Sequence, residues 1–255
     1  MALLEPQTMF NADALLNQVI GIAADVGIHD SGMHQHAKGQ LLYAPSGCIS
    51  ITLDNMQCVL PPTRAAWIPA GVLHCARMHN VVAYRSLYFA SELAGGLPKR
   101  IKIVAVNHLL QALIERMAFW PWDKPSAEQA NTLALFCEEL AVAPEQHFFL
   151  PLPTDPRLAT WLTELRKHHL PPPLVQLQSR IGASGKTISR IFSRETGMPY
   201  QAWRQQWRLH SAIEKLAEGN SISTVAFALD FASDSAFISF FRQHTGTTPA
   251  QYLKQ

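Results

Sequence analysis

Charge is scarce in this 255-residue chain and almost balanced: 16% of residues are charged, with 21 Lys plus Arg against 19 Asp plus Glu. Cysteine is scarce too, with four residues, Cys48, Cys58, Cys75 and Cys137, and no Cys-x-x-Cys pair. Set beside 48% hydrophobic residues, the low charge excludes a disordered chain, which has too little apolar surface to offset the entropy of ordering. The cysteine spacing excludes a small disulfide scaffold and a zinc knuckle, and predicts buried free thiols. No apolar run reaches the ~18 residues that span a bilayer. The start, Met1-Ala-Leu-Leu-Glu-Pro-Gln7, has no basic segment leading into an apolar one. A cytoplasmic protein with no membrane contact is expected.

The near-zero net charge hides a division. Residues 1–155 hold 9 basic and 13 acidic side chains, net −4, whereas residues 156–255 hold 12 and 6, net +6. Such asymmetry points to nucleic-acid binding by the basic part. The hydrophobic pattern divides at the same place. Between Gln18 and Ala90, short apolar runs (Gln40 to Ala44, Cys48 to Leu53, Gln57 to Leu60, Ala65 to Ile68, Ala83 to Phe89) alternate with Pro, Gly, Asn and Asp turns, the mark of a β-sandwich or barrel. From Val106 the period becomes helical. Leu109, Leu110, Leu113, Ile114 and Met117 form one stripe, and Ser126 is expected to cap a second helix reaching Leu140.

Four prolines between Pro144 and Pro156 read as an unpacked linker. This gives a domain 1–143, a linker 144–156 and a helical domain 157–255. In the latter, helices are expected from Arg157 to His168, Leu174 to Ile181, Ser184 to Thr196, Tyr200 to Glu218, Ser223 to Leu229 and Ser233 to Thr245, with Gly182, Gly197, Gly219 and Gly246 as stops.

A repeat at an offset of 49 residues runs through this half. It pairs Ser184 with Ser233, Ile188 with Phe237, Ile191 with Phe240, Phe192 with Phe241, Thr196 with Thr245, Gly197 with Gly246, and Trp203 with Tyr252. Each copy is a short helix, a tight turn and a capped second helix, the helix-turn-helix order. With Ile188, Ile191 and Phe192 inward, Gly185, Lys186, Ser189, Arg190 and Arg194 point outward, where such side chains reach base edges and phosphates. A connecting helix of about 20 residues is ~30 Å long, close to the ~34 Å between successive major grooves on one face of B-DNA.

Thr187-Ile-Ser-Arg-Ile-Phe-Ser-Arg-Glu-Thr-Gly197, Trp207-Arg-Leu209, and Ser235-Ala-Phe-Ile-Ser-Phe-Phe-Arg-Gln-His-Thr-Gly-Thr-Thr-Pro249 followed by Tyr252 resemble the AraC/XylS-type transcription regulators over about 100 residues. The resemblance implies recognition helices beginning at Ser184 and Ser233. DNA contacts would come from Lys186, Ser189 and Arg190 in the first helix and from Asp234, Ser235 and Ser239 in the second, with Arg242 on phosphate. Asp230 stands where the family usually has a turn glycine, and Gln178 where it has a small alanine. Because Asp234 is acidic and Ser239 short, the second module is expected to read DNA more weakly.

His34-Gln-His36 with Gln40, and Pro69-Ala-Gly71-Val-Leu-His74, resemble the two signature segments of cupin barrels. The resemblance implies a metal site of His34, His36 and His74, with Gln40 at the position usually held by a glutamate. Three imidazoles suit Zn, Ni, Fe or Cu. The same histidines would equally serve as polar groups of an effector pocket, alongside Gln40, Tyr43, Trp67 and Tyr88.

The expected architecture is α+β: an N-terminal cupin-like β-barrel with following helices, then an all-α domain with two helix-turn-helix motifs joined by a long helix. The expected function is a promoter-binding regulator, more often an activator in this family and then in contact with RNA polymerase. A small molecule or metal in the barrel would control it, and the 109–117 stripe would contribute to a homodimer. The competing class is a metal-dependent cupin dioxygenase or isomerase, against which Gln40 counts.

Overall fold

The computed structural model describes residues 10–78, 82–146, 149–165 and 170–252. They form two compact units, one made of residues up to 53 with 59–148, the other of residues 54–58 with those from 149 onward. No described helix is long and apolar enough to cross a membrane.

Up to residue 148 the elements are β1 (Val19–Val26), β2 (His29–Asp30), β3 (Gly39–Ser46), β4 (Ile49–Leu53), β5 (Met56–Leu60), whose first three residues count with the second unit, β6 (Arg64–Ile68), β7 (His74–Met78), β8 (Val82–Phe89) and β9 (Lys102–Ala105), then helices α1 (His108–Ala118) and α2 (Ser126–Val142). One antiparallel sheet runs β1-β8-β3-β6-β9, and β5, β4, β7 and β2 follow one another in a second. The first sheet is covered on both faces. Leu41, Tyr43, Trp67, Leu87 and Phe89 pack with Leu110, Leu113, Ile114 and Met117 of α1 and with Phe136 and Leu140 of α2. On the other face Ile20, Ile22 and Tyr88 cluster with Ala12. Each fully buried side chain of this size is worth about 1.5–3 kcal/mol, so the larger, helix-facing cluster supplies more of the hydrophobic stabilisation.

Helix α1 is fixed by its cap and by a close approach. The Asn107 side chain accepts the Leu110 N–H at 2.7 Å, satisfying an orphan donor of the first turn. At its far end, a Cβ on Gly21 would lie 2.0 Å from the Met117 carbonyl oxygen, so only glycine lets β1 pass there. Leu109 does not join the buried stripe and is 44% exposed. The expected Ser126 cap is also corrected: Pro125 occupies the cap position, with no side-chain hydrogen bond, and Ser126 is already helical. All four cysteines are free thiols, three of them buried.

The proline-rich segment is packed, contrary to the unpacked linker expected. The Pro144 carbonyl accepts from the Ala105 N–H and the Gln146 N–H donates to the Ile103 carbonyl, extending the β9 edge. The division between units falls at 148/149. Beyond it, β10 (Leu150–Pro151) pairs antiparallel with Gln57 and Met56, and Leu150 and Leu152 are buried. Prolines belong at such sheet edges, where the missing N–H costs nothing.

The second unit continues as a 3-10 turn, Pro156–Leu158, followed by α3 (Ala159–Leu165); the expected end at His168 lies outside the described residues. Then come α4 (Leu174–Ile181), α5 (Gly185–Thr196), α6 (Tyr200–Ala217), α7 (Ile222–Ala228), α8 (Asp234–Thr245) and α9 (Pro249–Tyr252). Helix α6 is the spine, with Trp203, Arg204, Trp207, Arg208, Leu209, Ile213 and Leu216 all buried. Trp161, Phe192, Tyr200 and Trp203 pack edge-on or stacked at one end of it.

Candidate functional site

The 49-residue repeat holds down to single hydrogen bonds. Ser184 Oγ accepts the Thr187 N–H and Ser233 Oγ accepts the Ala236 N–H, both at 3.2 Å, so each second helix starts on a serine cap. Gly197 and Gly246 close these helices at φ 76° and 78°, the left-handed region that glycine enters without a Cβ penalty. In the last turns, Thr196 Oγ1 donates to the Phe192 carbonyl and Thr245 Oγ1 to the Phe241 carbonyl. Ile188, Phe192, Phe237 and Phe241 are fully buried. Phe240 departs from Ile191 and is only half-buried, its ring tilted against those of Phe231 and His244.

On the outer faces, Lys186 and Arg190 of α5 are exposed, with Ser189 half-buried between them, and none carries an ion pair among the described residues. On α8, Asp234, Ser235, Ser239 and Arg242 are exposed. The Asp234 carboxylate accepts the Ser223 hydroxyl of α7 at 2.5 Å, which ties it to its own module. Ser184 is spent as the cap. Arg194 is exposed on the outer face and also paired: its guanidinium donates to Glu195 at 2.5 Å and reaches Asp155 at 3.4 Å. Glu195 in turn accepts the Thr154 and Asp155 N–H groups, and Asp155 takes a two-pronged contact from Arg157. The Arg157 hydrogen bonds, ahead of other causes, hold the Asp155 carboxyl well below the usual range. Arg194 thus locks α5 to the segment that opens the unit.

Two arginines of α6, unassigned by the sequence reading, position the modules. Arg204 Nε donates to the Pro171 carbonyl at 2.6 Å, just before α4. One turn on, Arg208 donates to the Leu229 carbonyl from Nε (3.0 Å) and Nη2 (2.6 Å) and to the Asp230 carbonyl at 3.1 Å, while its guanidinium lies 3.7 Å over the Phe231 ring. Burial, then Arg204, pushes the Arg208 pKa down to about 10. Asp230, the turn residue in place of glycine, has φ 59°, the only positive value for a non-glycine among the described residues. The i, i+4 pair of arginines in an otherwise apolar helix face was the signal available in the sequence. The Gln178 departure is also explained: a Cβ at residue 185 would sit 3.1 Å from its amide nitrogen, so Gly185 makes the room.

In the first unit, His34, His36 and His74 converge, with one ring nitrogen from each within 4.8 Å of the others. His34 sits in a single antiparallel bridge to His74, and His36 in the loop after it. The Asp30–Gly32 turn sets His34. Asp30 accepts Cys75 Sγ, the Gly32 N–H and Arg77 Nε, which together, against burial, take its pKa to about 2. His34 Nδ1 then meets the Gly32 carbonyl at 2.9 Å, and His74 Nδ1 the Val72 carbonyl at 2.8 Å. An Nδ1–H spent on a carbonyl leaves Nε2 with its lone pair free for a ligand. His36 Nε2 is buried with no hydrogen-bond partner among the described residues. Burial first, then neighbouring imidazoles, lowers the His36 pKa to about 4; burial also lowers that of His74.

Gln40 completes this wall. Its Oε1 is 2.9 Å from His74 Nε2, and its Nε2 donates to Ser86 Oγ and Tyr88 Oη, each at 2.9 Å. Tyr88 also meets the His36 ring edge-on at 5.0 Å. Tyr43 and Trp67 do not line this site, contrary to expectation. They point to the other face of the sheet, among the residues that pack on α1 and α2, and Trp67 Nε1 donates to the Pro98 carbonyl. The donor set, three imidazoles and an amide oxygen, fits a borderline transition-metal ion and not Mg²⁺ or Ca²⁺, which take oxygen.

Residues 17–167 match the family model of the AraC-like ligand binding domain, and residues 177–255 match that of a helix-turn-helix domain. The chain is 29% identical to the HTH-type transcriptional regulator NimR of Escherichia coli K12 over 229 residues, covering 88% of this chain and 82% of that one. It is 39% identical to the HTH-type transcriptional regulator RipA of Corynebacterium glutamicum over 71 residues, 28% of this chain and 22% of that one. Among solved structures, fatty-acid-bound ToxT of Vibrio cholerae aligns over 92% of this chain and 94% of its own, at 10% identity and a TM-score of 0.38.

Proposed function

Since the chain belongs to the AraC family of transcription regulators, whose ligand-binding domain model covers more than half of it, we propose that it is a cytoplasmic activator whose first recognition helix, α5, dominates promoter reading. The observation that carries this is the asymmetry of the two outer faces. Lys186 and Arg190 are exposed without acidic partners among the described residues, whereas α8 offers one exposed arginine, Arg242, and an acidic first residue, Asp234. Arg190 reads a base edge, Lys186 and Arg242 neutralise phosphate, and Ser189, Ser235 and Ser239 supply shorter contacts. As an activator it contacts RNA polymerase from the DNA-bound state.

The homodimer belongs to the same proposal. Leu110, Leu113, Ile114 and Met117 are spent inside the unit. The support for self-association comes instead from Leu109, Phe119, Leu135 and Val142, apolar side chains left exposed around α1 and α2. The histidine cluster serves sensing, the role supported by the match of this unit to the AraC-like ligand binding domain.

The test selects an operator from a random duplex pool with the full-length protein and then compares Arg190→Ala with the native chain. The expected result is a loss of about 1–3 kcal/mol with relaxed preference at one base position. An unchanged footprint and preference would overturn the assignment.

A further inference from the structure

We propose that the second unit carries a binding site of its own, a cleft between α3 and α4 that takes a small aromatic carboxylate and passes its presence to the recognition helix α5. The site is separate from the histidine cluster and from the outer faces of α5 and α8. Only its effect on DNA rests on the regulator reading.

The cleft encloses about 530 Å³ and is lined by Arg157, Thr160, Trp161 and Glu164 from the start of α3, and by Arg180 and Ile181 from the end of α4. That volume falls within the ~300–1,000 Å³ of small-molecule sites. Its walls are of two kinds. Trp161 and Ile181 offer apolar surface to a flat ring, whereas Arg157, Arg180 and the Thr160 hydroxyl offer donors to an anionic head.

Neither guanidinium is fully spent. Arg157 donates to Asp155 from Nε at 2.8 Å and from Nη2 at 2.7 Å, which leaves three of the five N–H groups of a guanidinium. Arg180 lies 3.7 Å from Glu164, beyond hydrogen-bond reach. Both of those side chains are more than half exposed, so the pair holds Arg180 weakly. A head group that satisfies the two arginines is an anion. It carries a single charge, because the Glu164 carboxylate beside it opposes a dianion such as a phosphate monoester. A planar carboxylate, which accepts two parallel N–H groups from one guanidinium, meets both conditions.

Two connections run from the cleft to α5, both inside this unit. Asp155 is shared between Arg157 and Arg194 of α5, so an anion that draws on Arg157 leaves Asp155 to Arg194. Trp161 also meets the ring of Phe192, on the buried side of α5, at 6.1 Å. Occupancy of the cleft therefore tightens Asp155 on an exposed cation of the recognition helix and makes that cation less available to phosphate. Operator affinity should fall by up to about fivefold, the worth of one partly exposed ion pair.

The experiment titrates the full-length protein, labelled at its isoleucine methyls, with biphenyl-4-carboxylate, its neutral carboxamide and inorganic phosphate. It follows the Ile181 methyl, assigned through Ile181→Val. The carboxylate should shift this methyl saturably, with a Kd of about 0.5 mM for a probe of its size. The carboxamide and phosphate should bind about tenfold more weakly or less. Arg180→Ala should weaken the carboxylate about tenfold and leave the melting temperature unchanged, since the Arg180 side chain makes no hydrogen bond among the described residues. No saturable shift at Ile181 overturns the site, as does equal binding of the carboxamide or of phosphate, or carboxylate binding indifferent to Arg180→Ala. Without any probe, a drop of about one in the slope of log K against log salt for Arg180→Ala would assign this arginine to the DNA backbone, and overturns the site as well. The same proteins are assayed on the selected operator. Saturable binding at Ile181 with unchanged operator affinity overturns the coupling to α5. Saturable binding by a chain that shows no selective DNA binding upholds the site and overturns the regulator.

Discussion

In the first helix-turn-helix the left-handed turn residue is Gly182, two residues before the cap Ser184; in the second it is Asp230, three residues before the cap Ser233. The helices on either side repeat closely, so the difference is confined to how the turn is held. Gly182 needs no support, because glycine enters the left-handed region freely. Asp230 bears a Cβ there, which costs about 1–2 kcal/mol, and its carbonyl and that of Leu229 are gripped by Arg208. A longer turn with an unfavourable residue is thus maintained by a buried cation from the shared helix. The second module depends on the spine, and the first depends mainly on its own sequence.

The strongest way to break that contrast is Arg208→Ala. It removes four charge-assisted hydrogen bonds, three to the turn carbonyls and one to Gln205 Oε1, and the stack on Phe231. The expected loss is about 3 kcal/mol or more in urea unfolding. Protection from amide exchange should fall in α7 and α8 before it falls in α4 and α5. Equal loss across both modules would show that Arg208 supports the whole domain and not one turn.

Acid should act on the spine itself. His210 of α6 is buried, and burial lowers its pKa to about 4 from an ordinary 6.5. The unfolded chain takes up this proton first, so the stability linked to the neutral ring is present above about pH 6.5 and is lost as pH falls toward 4. The slope is at most ~1.4 kcal/mol per pH unit, about 3 kcal/mol in all. Measured as the difference between native protein and His210→Gln, so that other groups cancel, the effect should loosen both modules together. Parallel stability curves for the two proteins would refute it.

The turn residues give the next effect. Gly182→Ala should cost about 1–2 kcal/mol, and Asp230→Gly should stabilise by up to ~1 kcal/mol, reduced by the loss of the Arg204 contact at 3.9 Å. Opposite signs in thermal unfolding sharpen the comparison; a loss from Asp230→Gly would mean that the carboxylate matters more than the backbone strain.

What could be seen beforehand follows from how local each signal is. The repeat was legible because caps, stripe and stop all lie within one helix, from Ser184 to Gly197 and from Ser233 to Gly246. The Asp230 turn was legible only through the resemblance, as the position where the family has a glycine. The roles of Tyr43 and Trp67 were not, because helices cover the outer face of their sheet and both faces are apolar, so alternation no longer tells inside from outside. The pairing of Gln40 with Tyr88 across β3 and β8 is non-local, although Tyr84, Ser86 and Tyr88 at period two mark one polar face. The pairing of Arg194 was hidden for a similar reason, since nothing near it in the chain announces Asp155, 39 residues away.

The smallest expected effect tests the difference on DNA itself. Helix α8 carries one exposed arginine, Arg242, and its acidic Asp234 is bound to Ser223, so its share in binding should be electrostatic and indifferent to sequence. Arg242→Ala should then reduce the slope of log K against log salt by about one, and weaken selected and random duplexes alike. Arg190→Ala, by contrast, should weaken the selected operator more than the random duplex. If Arg242→Ala lowered affinity only for the selected operator, α8 would be reading bases, and the two recognition helices would be equals in function despite the different grip on their turns.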